Sequence, residues 1–245
     1  MPKIIVRDLG NIEYGTAWDL QEKILREGLT IKSERHSNPN SPIALKEIQQ
    51  YLLLVEHPHV YTLGKSGHQE NLLIDKEKME SLGISFYPTN RGGDITYHGP
   101  GQMVAYPILD LETLKSDLGW YMSTLEEAII NTIAFYGLKG ARLKGSTGVW
   151  IDADDPAKAR KICAMGVKCS RWLTIHGLAL NVNTNLDFFN FIVPCGITDK
   201  GVTSIAKEIG HEVDENEVKQ EFIKQFSKAF QVVLISENEY KKCNS

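Results

Sequence analysis

Four stretches of this chain carry side chains able to do chemistry: IVPCGITDKGV around Cys195, KICAMG opening at Lys161, RGGDITYHGPGQ over 91–102 and TIHGLALNVN over 174–183. Cys195 stands between Pro194 and Gly196. Proline fixes its own φ and pushes Val193 towards extended geometry. Glycine removes side-chain bulk beside the sulfur. Such a loop presents a thiol rigidly, with room for an incoming carbonyl. A disulfide, a core thiol and a nucleophile all fit it. The chain has only four cysteines in 245 residues. That sparse use, in a chain read as cytosolic, argues for free thiols.

RGGDITYHGPGQ holds Gly92, Gly93, Gly99 and Gly101 among Arg91, Asp94, Thr96, Tyr97 and His98. It reads either as a binding loop or as two tight turns flanking a strand, with Arg91 and Asp94 paired at the surface. His176 precedes Gly177 in a strand pattern, where a structural histidine is the commoner outcome and a glycine admits a ligand close to the backbone. Lys161, at the start of an apolar strand, reads locally as a snorkelling lysine. Cys163, two residues on, is expected on the same strand face. Cys169 has no distinctive surroundings, and Cys243 falls in a tail expected to fray.

Several familiar motifs fail. LGKSG (63–67) looks like the end of a phosphate loop, but His59 occupies the place of the required first glycine. HGPGQM has Val104 where a dinucleotide fingerprint needs its third glycine. No CxxC and no HExxH occurs, so no metal or cofactor is called for.

These residues need a scaffold. With 42% hydrophobic and 24% charged residues the chain is an ordinary globular sequence. Its net charge of -4 argues against electrostatic binding of nucleic acid or an anionic membrane. No apolar run is long enough to span a bilayer, and the N-terminus lacks the features of a signal or transit peptide, so a cytoplasmic location is expected. Helices are predicted over 16–29, within 71–83, over 120–138 and around 214–230, and a loop over 33–42. Strands are predicted at YLLLVEH, ISFYPTN, DITYH, QMVAYPILDL, GVWID, KICAMGVK, LTIHGLALNVN and QVVLIS. Strands and helices intermix without strict βαβ alternation. That favours a mixed-sheet α/β (α+β) fold over a doubly wound parallel sheet.

Taken in order, EHPHVYTLGKSG, RGGDITYHGPGQMVAYPILDL, KICAMG, TIHGLALNVN and IVPCGITDKGVTSI resemble the sequence blocks of the octanoyltransferases of lipoate synthesis, the lipoyl(octanoyl) transferases. The blocks run from Glu56 to Ile205, and the flanking segments carry no family motif. The resemblance implies one catalytic domain over 1–245, with the mixed fold of the biotin and lipoate protein ligases. It implies transfer of an octanoyl group from acyl carrier protein to a specific lysine of lipoyl domains. Those domains belong to 2-oxoacid dehydrogenase complexes and the glycine cleavage H protein. By position, the family's nucleophile falls on Cys195 and its partner lysine on Lys161. Its substrate contacts fall on Arg91, Gly92, Gly93, Asp94, Ile95, Thr96, Tyr97 and His98, on Ala164, Met165 and Gly166, and on His176, Gly177, Leu178 and Ala179. A monomer without a cofactor is expected.

The implied chemistry is sound. Cysteine titrates near 8.5 and lysine near 10.4, so in water thiolate plus ammonium is favoured by about 2.6 kcal/mol over thiol plus amine. A dry acyl pocket opposes that ion pair. Thioester exchange is near neutral and thioester-to-amide conversion is downhill, so no ATP is needed. Docking of an acidic carrier on a net acidic chain needs local basic charge, for which Lys158, Arg160, Lys168 and Arg171 bracket KICAMG. The rival readings are an ATP-dependent lipoate or biotin ligase on the same fold, a Cys/His hydrolase using His98 or His176, and a silent lipoyl-domain binder.

Overall fold

The computed structural model describes residues 1–193 and 201–243. In chain order the elements are β1 (Lys3–Asn11), α1 (Tyr14–Ser37), β2 (Tyr51–Glu56), β3 (Val60–Leu63), α2 (Lys76–Ser81), β4 (Ser85–Pro88), β5 (Ile95–His98) and β6 (Gln102–Ile108). Then follow α3 (Leu118–Ala134), β7 (Gly140–Leu143), β8 (Ser146–Ile151), β9 (Arg160–Ser170), β10 (Leu173–Asn181), β11 (Gly201–Val202), α4 (Ile205–Ile209), α5 (Glu215–Phe230), β12 (Val233–Ser236) and α6 (Glu237–Cys243).

The large sheet runs β12-β1-β2-β6-β10-β9-β8-β7, with β11 also paired to β9. A smaller sheet runs β4-β3-β5. Both mix parallel and antiparallel pairs, so the expected mixed α/β architecture is present. The turn at His98–Gln102 carries the chain from the small sheet to the large one, so β5 and β6 lie in different sheets.

Alternation along the central strands divides two cores. Leu52, Leu54, Met103, Ala105, Leu178 and Leu180 meet α3 and α5. Leu53, Val55, Val104, Tyr106 and Ala179 face Ala17, Leu25 and Ile31 of α1. On α5, Phe222, Phe226 and Phe230 recur one turn apart and are buried, each worth about 2–3 kcal/mol of burial. The Asp117 side chain caps α3 at the backbone N–H of Trp120.

Two boundaries differ from the sequence reading. Helix α1 continues through Gly28 to Ser37, so half of the expected 33–42 loop is helical. Gly28 is a packing glycine rather than a stop: a Cβ there would lie 2.8 Å from Leu173 Cδ1. Arg35 ties the last turn down by donating to the Ala44 and Lys46 carbonyls. The expected frayed tail is the helix α6. Its start is a capping box in which Ser236 and Glu239 satisfy each other's backbone N–H groups. No helix among the described residues is long and apolar enough to cross a membrane.

The β9–β10 hairpin turns on Arg171 and Trp172, with φ of 47° and 66°. Two-residue hairpins of this hand favour Asn-Gly, because a side chain in the left-handed region costs roughly 1–2 kcal/mol. Replacing the pair by Asn-Gly is expected to raise stability by about 1–2 kcal/mol, read as a higher urea midpoint. A lower midpoint would mean that the side chains, with Trp172 38% exposed, stabilise the turn more than its backbone strains it.

Candidate active site

A cavity of about 660 Å³ lies against the α1 face of the large sheet. Its floor is nearly free of side chains. Ala164 and Gly166 on β9 stand opposite Ala179 and Gly177 on β10. Its roof is the loop that begins at Arg91. Gly92 donates its N–H to the Val167 carbonyl on β9 (2.9 Å), and a Cβ on Gly166 would lie 2.8 Å from the Gly92 carbonyl oxygen. LGKSG, the failed phosphate-loop lookalike, buttresses this roof. Backbone N–H groups of Gly64, Lys65 and Ser66 donate to the carbonyls of Asp94, Arg91 and Gly93. A Cβ on Gly64 would lie 2.2 Å from the Gly93 oxygen, so glycine is required there.

Arg91 is not a surface group, and Asp94 is half-buried. Arg91 is buried and donates to the Thr62 carbonyl (2.6 Å) and hydroxyl (2.8 Å). Asp94 accepts from the Asn71 side chain (2.6 Å) and from its neighbour Ile95 (2.6 Å).

Most of the expected site residues meet here: Lys161, Arg91 to Thr96, His98, Ala164 to Gly166 and His176 to Ala179 all line the cavity. Tyr97 does not. It is fully buried in the small-sheet core among Tyr61, Phe188 and Phe189, and its hydroxyl pairs with His59 Nδ1 (2.7 Å). Thr96 and His98 point to the cavity, and the residue between them on a strand must point away. Cys195 lies outside the described residues.

Lys161 reaches the cavity through a β-bulge. Trp150 on β8 pairs with Lys161, but its neighbour Val149 pairs with Cys163, so β9 carries one extra residue. Ile162 and Cys163 both enter the α3 core, and Lys161 is turned to the cavity side with Ala164 and Gly166. Cys163 therefore does not share the lysine's face, and burial pushes its thiol well up. The Lys161 ammonium lies over the Trp150 ring, 4.8 Å from its centroid. Its backbone is locked on the far side: Val202 of β11 pairs with it and Thr203 donates to its carbonyl (2.9 Å).

The opposite side of the floor is built on β6 from neutral rings. His57 donates Nδ1–H to the Ile12 carbonyl (2.7 Å) and accepts the Tyr106 hydroxyl at Nε2 (2.7 Å). Gln102 donates its amide N–H groups to Tyr97 and Asn181, so its oxygen accepts Nδ1–H of His98 (2.8 Å). Asn90 donates to Glu22, so its oxygen accepts Nε2–H of His176 (2.7 Å). Burial is the main cause that lowers all three: His57 to about 4, His98 to about 3 and His176 to about 3, with the Arg91 charge adding to the last two. His176 has φ 58° inside a strand. It sits where β10 faces Pro107, which has no N–H, and donates its own N–H to Gln21 (2.8 Å).

Tyr14, the first residue of α1, joins this wall. It lies in the N-terminal segment, where no motif marks it. Its ring stacks on His98 (5.9 Å, 15°) and meets His57 edge-on (5.3 Å). Burial pushes its phenol up to about 12, so it is a protonated donor at neutral pH.

Three of the four expected docking charges have acidic partners of their own. Arg160 makes a bidentate pair with Glu208 (2.6 Å at both nitrogens) and reaches Asp152. Lys168 pairs with Glu22 (3.0 Å) and Lys158 with Asp155 (3.1 Å). Lys158 and Arg160 also stand at one end of β9 and Lys168 near the other, about 25 Å away.

The cavity is an apolar slot with a small-residue floor, a glycine roof and a lysine at one side. The family model of the lipoyl protein ligase A/B catalytic domain matches residues 13–227, and the chain belongs to that family. Within it, the chain is an acyltransferase. It is 51% identical over 235 residues to an octanoyltransferase of Flavobacterium johnsoniae, covering 95% of this chain and 99% of that one. It is 50% identical to an octanoyltransferase of Christiangramia forsetii, over 95% and 97% of the two chains. Among solved structures, the bipartite lipoate protein ligase of Thermoplasma acidophilum shares the fold, with a TM-score of 0.67 and 17% identity over 98% of this chain and 90% of that one. A lipoate-protein ligase A bound with ATP superposes with a TM-score of 0.63 and 16% identity, over 98% and 91%.

Proposed function

We propose that this protein moves an octanoyl group from the thioester of acyl carrier protein to a specific lysine of lipoyl domains, through a thioester on Cys195 with Lys161 as its partner. The acceptors are the lipoyl domains of 2-oxoacid dehydrogenase complexes and the glycine cleavage H protein. The enzyme works as one catalytic domain over 1–245, as a cytoplasmic monomer.

One observation carries this reading. Lys161 is turned into the cavity by the β9 bulge, and the chain that returns from the Cys195 segment pairs with it directly, Val202 against Lys161. On the other side of that segment, Val193 is tied to the Asn71 carbonyl (2.8 Å). The thiolate attacks the carrier's thioester carbonyl, and the S–C bond to the carrier breaks. The Lys161 ammonium gives its proton to the departing carrier thiolate. The acceptor lysine then attacks the enzyme thioester. Neutral Lys161 takes the proton that this amine loses, an amide forms and the Cys195 thiolate is restored. Neither exchange is uphill, so the proposed route needs no ATP.

The test is intact-mass analysis after mixing the enzyme with octanoyl carrier protein and no nucleotide. An adduct of about 126 Da, the octanoyl group replacing a thiol hydrogen, is expected on the wild type and not on Cys195→Ser. An adduct that persists in the variant assigns the nucleophile elsewhere. Acyl transfer that requires ATP returns the ligase reading.

A further inference from the structure

Tyr14 is the odd tyrosine of the core. The other buried tyrosines each spend their hydroxyl: Tyr61 on the Phe188 carbonyl, Tyr97 on His59, Tyr106 on His57 and Tyr121 on the Pro107 carbonyl. Tyr14 is only 1% exposed, lines the cavity, and makes ring contacts but no hydrogen bond among the described residues. Its hydroxyl is not among the sealed, unpartnered polar atoms, so it opens onto the cavity. The ring cannot swing away, being held by His98, His57, Tyr87 and Trp18.

Its position relative to Lys161 follows from the sheet. Lys161 belongs to β9, while the rings that hold Tyr14 are bonded to β6, His57 through Tyr106 and His98 through Gln102. Strand β10 lies between β9 and β6. Across the sheet, two strand spacings, about 10 Å, separate the two sides where Gln102 stands opposite Asn181, while Tyr106 lies four residues further along β6; the side-chain-poor positions Gly177 and Ala179 lie on β10 between them. An extended eight-carbon acyl group is of this length.

We infer that Tyr14 is the gauge of acyl-chain length: an acyl group whose carbonyl is at Lys161 crosses β10 with its methyl end just short of the Tyr14 hydroxyl. This rests on the function proposed above and assigns the far end of its substrate. A longer chain meets the ring, and it also takes the hydroxyl out of contact with water without offering it an acceptor. A buried polar group left unpaired is disfavoured. The gauge is thus polar as well as steric, and removing one oxygen relaxes it.

The experiment measures kcat/KM for hexanoyl, octanoyl, decanoyl and dodecanoyl groups on carrier protein, with wild type, Tyr14→Phe and Ala179→Val. Ratios within one preparation do not depend on how much of a variant is folded. Tyr14→Phe is expected to raise the decanoyl-to-octanoyl ratio about five- to a hundred-fold, the range that follows from relieving one unpaired buried hydroxyl. Ala179→Val, which narrows the floor in mid-track, is expected to shift preference towards hexanoyl. An unchanged decanoyl-to-octanoyl ratio in Tyr14→Phe overturns the gauge. Equal losses at every length in Ala179→Val remove the acyl chain from this floor, and the gauge with it. Failure of the wild type to transfer any of the four groups is a different result, which overturns the proposed function itself.

Discussion

Replacing Lys161 with alanine is expected to slow acyl transfer by roughly two to four orders of magnitude, the usual worth of a positioned acid–base group, while the protein stays folded. The side chain faces the cavity with its ammonium over the Trp150 ring, and the backbone around it is held by β8 and β11 whatever the side chain is. Residual acylation should depend on pH as an unassisted thiol does, with its inflection near 8.5. Lys161→Arg separates the two roles assigned to this group. A guanidinium keeps the positive charge but cannot give up its proton. If charge stabilisation of the thiolate dominates, arginine restores a large part of the first acylation step but little of the transfer to the acceptor lysine. If proton transfer dominates both steps, arginine is as slow as alanine. Alanine kinetics that match the wild type in rate and pH profile would remove Lys161 from the mechanism.

How the lysine comes to be there marks the limit of what local pattern could reveal. Simple alternation along β9 puts Lys161 and Cys163 on one face. The bulge at Ile162–Cys163 breaks that alternation, and a bulge has no reliable signature in a run such as KICAMG. The sequence blocks around the floor and roof were legible because their glycines are demanded by close backbone approach, as at Gly64 and Gly166. Tyr97 differs for the opposite reason: it sits inside a block of cavity residues, but its strand turns it away from the cavity. Tyr14 could not be found at all. It is an ordinary aromatic at the start of a helix, and only the packing of α1 against His98 and His57 brings it to the site. Strand β1 was likewise missed, since its short IIV run is completed by polar residues and its pairing to β2 and β12 is long-range.

The same packing makes the protein sensitive to acid in a way that can be measured. Acidification from pH 6.5 towards 4 is expected to remove stability at up to about 4 kcal/mol per pH unit, through His57, His98 and His176. In the unfolded chain these histidines take up protons near pH 6.5. In the folded protein burial holds them neutral until about pH 4, 3 and 3. Above pH 6.5 both states are neutral and the difference vanishes, so stability is full there. Below it the unfolded state binds up to three more protons, each worth about 1.4 kcal/mol per pH unit. A domain with a typical reserve of about 5–15 kcal/mol is exhausted within a few units, so global unfolding precedes titration of the histidines in place. Urea unfolding at intervals from pH 7 to 4.5 reads the slope directly. The slope should approach three protons at the acid end, with the carboxylate of Glu208, which Arg160 holds low, adding to it only at lower pH. A slope near zero between pH 6 and 5 would mean that these rings are solvated and chargeable. The wall that Tyr14 completes would then be wet and polar rather than the neutral surface an acyl chain needs.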